Sequence, residues 1–161
     1  MQSDNDTSKK YHLPTPDERI EAAALRRRAQ EVRQQIETER ERLDREKRER
    51  QEAERRRAHA DFLDKEFTEA DRDRIKDLTR AAVRAGNFEV EILRFPADYL
   101  DDNGRAVNNA DRTWPNYLTG YARSICEAYI DIAQPLGYRL VARVLDYRDG
   151  NIGDIGLFLR W

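Results

Sequence analysis

Hydrophobic and polar positions divide this chain in two. Leu, Ile, Val and Phe number 6 in residues 1–61 and 27 in residues 62–161. One aromatic residue, Tyr11, lies before position 62 and 13 follow it, and all seven glycines lie at or after Gly86. Only the second part can close an apolar core, and about 100 residues suffice for a domain to fold alone.

Residues 1–14 show no apolar period and read as a disordered tail. Thr15 is a natural N-cap, Pro16 suits the first helical position, and Glu18 completes a capping box. No Gly and no further Pro occurs up to Glu66, which predicts one long charged helix over 15–66. About 50 helical residues at ~1.5 Å each would make a rod of about 75 Å. Leu25, Ala29, Val32, Ile36 and Leu43 fall on one alternating 4-3 seam, interrupted by Glu39. That is a coiled-coil-like pattern of about three heptads. Beyond Leu43 the same register lands on Glu46, Arg50, Ala53, Arg57 and Ala60, so the apolar seam ends there. Acid-before-base pairs such as Glu41 with Arg45, Asp44 with Arg48, Glu46 with Arg50 and Glu52 with Arg56 would support a solvated helix by ~0.3–0.5 kcal/mol each. The segment is therefore expected to act as a spacer or as an oligomerisation or partner-binding arm.

A head domain is predicted over 67–161. Phe62, Leu63 and Phe67 end the polar run and should dock on it. Thr68 and Asp71 mark a second helix start, followed by Ile75, Leu78, Ala82 and Ala85 at helical spacing, with Gly86 placed to stop it. Alternation over 88–95 predicts a strand ended by Pro96. A further helix is expected over 116–133 with the stripe Leu118, Tyr121, Ile125, Tyr129 and Ile132. Strands follow over 138–147 and 153–161, separated by a turn at Asp149 and Gly150. The fold class is thus α+β: a long N-terminal helix, then an α-β-α-β-β head with a three-stranded sheet and helices on one face. Glu89 and Glu91 share a face of the first strand; Arg139 and Arg143 share a face of the second. If these strands are parallel neighbours, the charges can pair across the open face.

The segment 97–115 lacks periodicity, and long loops of this kind are often functional. Arg105 and Arg112 offer donors for a carboxylate or phosphate, Asn108 and Asn109 directional hydrogen bonds, and Trp114 an anchor, with Asp111 among them. These six are the candidate ligand- or partner-binding residues. The competing reading is a turn-rich connection whose Asp and Asn satisfy their own backbone, with Asn103 and Gly104 as a tight turn. A calcium loop aligned on Gly104 would need acids where Tyr99 and Ala110 stand, so that match is rejected.

Composition narrows the chemistry. Net charge is −2, and Arg outnumbers Lys 25 to 5. Residues 17–60 carry +2 and residues 61–161 carry −4, which argues against a dedicated nucleic-acid binder. The two histidines, His12 and His59, lie outside the head, which argues against a histidine triad there. Cys126 is the only cysteine, so no intramolecular disulfide and no Cys-based zinc site can form; it reads as a buried, inert thiol. Gly153 and Gly156 lead into a strand, not a helix, and read as sites of close backbone approach. A polar N-terminus suggests no secretory signal, and no run of ~18 apolar residues suggests a membrane span.

The expectation is a non-enzymatic cytoplasmic interaction or scaffold protein with no cofactor, no metal and no catalytic residues. Its partners would be a protein, or a second copy through the N-terminal helix; its head would bind a protein or a small polar ligand. The alternatives are a small metal-dependent hydrolase using carboxylates of the 98–114 loop, and a nucleic-acid-associated protein using the Arg-rich helix.

Overall fold

The computed structural model describes Thr15 and residues 21–161. The tail over 1–14 and the expected helix start at Pro16, Asp17 and Glu18 lie outside the described residues. The chain divides into two compact units, Met1–Glu52 and Ala53–Trp161.

Helix α1 (Ala22–Asp64) supplies the described helix of the first unit and opens the second. In the first unit its residues are exposed throughout. Arg42 bridges Glu39 and Glu46, so Glu46, expected to pair with Arg50, is held from the preceding turn.

The second unit begins inside the helix, at Ala53. The reason is packing. His59 stacks on Tyr99 at 4.3 Å, and Phe62 lies 5.3 Å from Phe95 and 4.9 Å from Tyr99 between ring centres. Phe62 and Phe67 are half-buried against the core, whereas Leu63 stays exposed. Helix α2 (Glu69–Arg84) starts where the Thr68 and Asp71 signal places it, with the reciprocal capping box formed.

Strand β1 (Glu89–Pro96) follows. The aperiodic segment folds as short pieces: a 3-10 turn Ala97–Tyr99, α3 (Arg105–Asn108) and a 3-10 turn Trp114–Tyr117. The expected helix over 116–133 is α4 (Gly120–Ala128), extended by a π-helical turn Tyr129–Ala133 and a 3-10 turn Gln134–Leu136. Then come β2 (Arg139–Val144), a small hairpin of β3 (Tyr147–Arg148) and β4 (Asn151–Ile152), and β5 (Asp154–Arg160). Asp149 (φ 50) and Gly150 (φ 80) form the hairpin turn, with the paired positive φ that such a turn requires.

The fold is α+β, a long N-terminal helix followed by a small head with a three-stranded antiparallel sheet. Its order is β1-β5-β2. The expected parallel neighbourhood of β1 and β2 is therefore wrong: β5 lies between them, and both pairings are antiparallel. The central place suits β5, whose Ile155 and Leu157 are the most deeply buried strand residues and whose Leu159 is buried beside them. The charge pair forms nonetheless. Arg143 reaches across β5 to Glu89 with two hydrogen bonds of 2.5 and 2.6 Å. On its way the guanidinium rests over the Phe158 ring at 4.7 Å, and that ring in turn packs close to Gly156, the register partner of Arg143 on β5. On the other face, α4 contributes Tyr121, Ala122, Ile125 and Cys126 to one core with Leu118, Ile92 and Phe95.

Candidate functional site

The stripe of α4 outruns its cover. Leu118, Tyr121 and Ile125 are buried, Tyr129 is half-buried, and Ile132 is 42% exposed, followed by Leu136 at 73%. The helix widens into its π turn at this point, a distortion common at functional sites. Here α2 and the α4 extension stand apart on the sheet and leave an open groove of about 310 Å³. Its floor is Ile92, Ile125 and Leu159; one wall is Ile75 and Thr79 of α2; the other is Ala128, Tyr129, Ile132, Ala133 and Leu136. Tyr138 and Phe67 complete its lining, and the Tyr129 hydroxyl is turned to the Tyr138 carbonyl at 3.1 Å. Gly137 (φ 92) lets the chain reverse from this wall into β2.

One edge is cationic. Arg72, Lys76 and Arg80 line the groove from α2 at a spacing of one turn. Lys76 pairs with Asp73 at 3.5 Å and Arg80 with Asp77 at 3.4 Å, both in exposed settings where such pairs are weak. The Arg72 guanidinium makes no hydrogen bond or ion pair among the described residues. An apolar trough with a positive rim can take an apolar group that carries a negative charge beside it.

The six residues singled out from sequence lie elsewhere, on the segment 97–115. Arg105, Asn108, Asn109, Asp111 and Arg112 are exposed, and Trp114 is half-buried against the core. Asp111 accepts from the Thr113 N–H and hydroxyl, both at 2.8 Å, and these bonds hold its carboxyl below the usual value. Asp102 accepts from the Gly104 and Ala106 N–H groups at 2.9 and 2.6 Å. Asn108 accepts from the Tyr147 hydroxyl at 2.6 Å, which ties α3 to the hairpin. No group of three or more metal-ligating side chains occurs among the described residues. Cys126 is buried, and desolvation pushes its thiol up.

Sequence reasoning missed the groove because Tyr129 and Ile132 continue the core stripe without a break. The available signal was the position of Pro135 and Gly137: a stripe that runs to a stop, followed by an apolar Leu136, has no partner left to cover it.

No helix among the described residues is long and apolar enough to cross a membrane. Compared with known proteins, the chain matches no family model, no curated protein and no solved structure.

Proposed function

We propose that this is a non-enzymatic interaction protein whose head binds an apolar, acid-flanked segment of a protein partner in the groove between α2 and the α4 extension. The observation that carries the reading is the groove itself: an apolar trough with exposed Ile132 and Leu136 on one lip and Arg72, Lys76 and Arg80 on the other. An apolar floor favours a protein side-chain cluster over a small polar ligand, because a polar group placed there loses water without gaining partners. The N-terminal helix is a second arm of the same protein. A cytoplasmic setting belongs to this reading, supported by a single cysteine that is buried and unpaired.

The hydrolase alternative has less to draw on, since Asp102 and Asp111 already cap backbone groups. Selection of displayed random peptides against the full-length protein tests the proposal. The enriched peptides should be amphipathic and carry Asp or Glu. Leu136→Glu and Lys76→Glu should each weaken them by about tenfold or more with the circular dichroism unchanged. Failure to enrich any peptide, or equal binding to Leu136→Glu, would overturn it.

A further inference from the structure

The apolar seam of α1 lies wholly in its exposed part. Leu25 is 53% exposed, Val32 48%, Ile36 64% and Leu43 52%. In heptad terms Ala29, Ile36 and Leu43 are a positions, and Leu25, Val32 and Glu39 are d positions. The residues that border such a seam decide what can lie on it, because they meet the partner helix across its edges. On one border the e positions are Arg26, Arg33 and Arg40; on the other the g positions are Arg28, Gln35 and Arg42. Five of these six are Arg and none is acidic. The acids of the same stretch, Glu31, Glu37 and Glu41, fall on the outer positions c, b and f.

A second copy is the wrong occupant in either orientation. A parallel pair sets e against g, and an antiparallel pair sets e against e and g against g; both bring Arg to Arg. In a parallel pair in register, Glu39 would also face Glu39 inside the seam. In the single helix Glu39 is neutralised from its own chain, by Arg42 at 3.0 and 2.6 Å. That leaves Arg26, Arg28, Arg33 and Arg40 as the border charges a partner meets.

We infer that α1 is one half of a heterotypic coiled coil, and that its partner is an amphipathic helix with an apolar a/d seam bordered by Asp or Glu. Apolar burial supplies the attraction, and the Arg borders supply the selection: they repel the protein's own copies and admit an acidic helix. The inference goes beyond the groove of the head and stands on α1 alone, so failure of the one leaves the other intact.

The test uses the full-length protein and two designed helical peptides of about four heptads, identical at a and d, one with Glu and one with Lys at e and g. Sedimentation of the protein alone at micromolar concentration should show a monomer. The Glu peptide should bind at least about tenfold more tightly than the Lys peptide, with affinity falling as salt rises. The double variant Val32→Glu, Ile36→Glu should lose the Glu peptide while the head's thermal unfolding is unchanged. The charge-reversed variant Arg26→Glu, Arg33→Glu, Arg40→Glu should transfer preference to the Lys peptide. A wild-type dimer that Val32→Glu, Ile36→Glu dissociates would overturn the inference. So would equal binding of the two peptides, binding of neither, or binding of duplex DNA by the seam in preference to the Glu peptide.

Discussion

The hydroxyl of Tyr121 donates a buried hydrogen bond of 2.5 Å to Asp71, and it joins α4 to the first turn of α2. Asp71 is 8% exposed, and its other oxygen accepts from the Thr68 N–H at 3.1 Å and the Thr68 hydroxyl at 2.8 Å. One carboxylate thus serves as capping-box acid and as inter-helix tie. Burial pulls its pKa up, but the bonds from Tyr121 and Thr68 and the charge of Lys65 outweigh burial and leave it below the ordinary value. The tie sets one end of α2 against α4; the groove opens further along, where no such bond among the described residues spans them.

Tyr121→Phe should therefore cost ~1.5–3 kcal/mol of stability, the range for a hydrogen bond to a charged group. The ring packing survives, so the loss reads on the hydroxyl. Urea unfolding of wild type and variant checks it; a change within error would show that Thr68 alone satisfies Asp71.

The same pair contributes to both pH limbs. Asp71 has a lowered folded pKa, so its contribution is present above the ordinary 3.8 and is lost as pH falls through the lower folded value. Tyr121 is raised from 10.0 to about 12, by burial first and then by Asp71. Its contribution is whole below pH 10 and is lost as pH rises toward about 12. Wild type should lose on the order of 1–3 kcal/mol across that window. Tyr99, also raised by burial, adds to the same limb, so the difference between wild type and Tyr121→Phe isolates Tyr121. Parallel curves for the two proteins would contradict the assignment.

Gly120 stands where the end of α1 crosses the start of α4. Its φ is +47, and an added Cβ would meet the Phe62 carbonyl oxygen at 2.5 Å and Leu63 Cα at 2.6 Å. Gly120→Ala should destabilise the head by at least ~1–3 kcal/mol, from strain at positive φ alone, with the backbone clash in addition. Gly137→Ala is the comparison: its φ is +92 but nothing lies within 4 Å, so only the strain of about 1–3 kcal/mol is expected, without the clash. Equal losses would show that the close approach to Phe62 is not tight.

The groove should take up the anionic dye anilinonaphthalene sulfonate, which offers apolar rings beside a negative charge. Its fluorescence with the folded wild type should rise and saturate, and Leu136→Glu should abolish most of the rise. Near-ultraviolet dichroism must stay native, since dye binding by a loosened core would report something else. Dye uptake unchanged by Leu136→Glu would place the apolar surface elsewhere.

How far these features were legible in the sequence depends on what periodicity carries. The capping box at Thr68 and Asp71 and the alternation of Ile155, Leu157 and Leu159 are local signals, and the elements formed where they pointed. Strand order is not local. Alternation tells which face a residue takes, not which strand lies beside it, and Glu89 with Arg143 suggested adjacency for a pair that in fact spans a strand over the Phe158 ring. The register shift between Glu91 and Leu93, which puts Ile92 in the core and Leu93 against it, was equally invisible. The segment 97–115 drew attention through its Asp and Asn residues, and in the structure Asp102, Asn108 and Asp111 hold turns and a hairpin together. The groove escaped because an apolar stripe looks the same whether or not something covers it.

The most direct test of the central claim is a map of backbone amide shifts in the full-length protein on titration with a peptide selected as above. The account predicts that the largest changes fall at Ile75 and Thr79 on α2 and at Ile132 and Leu136 beyond α4. Changes centred on residues 98–114, or spread without a focus, would contradict it.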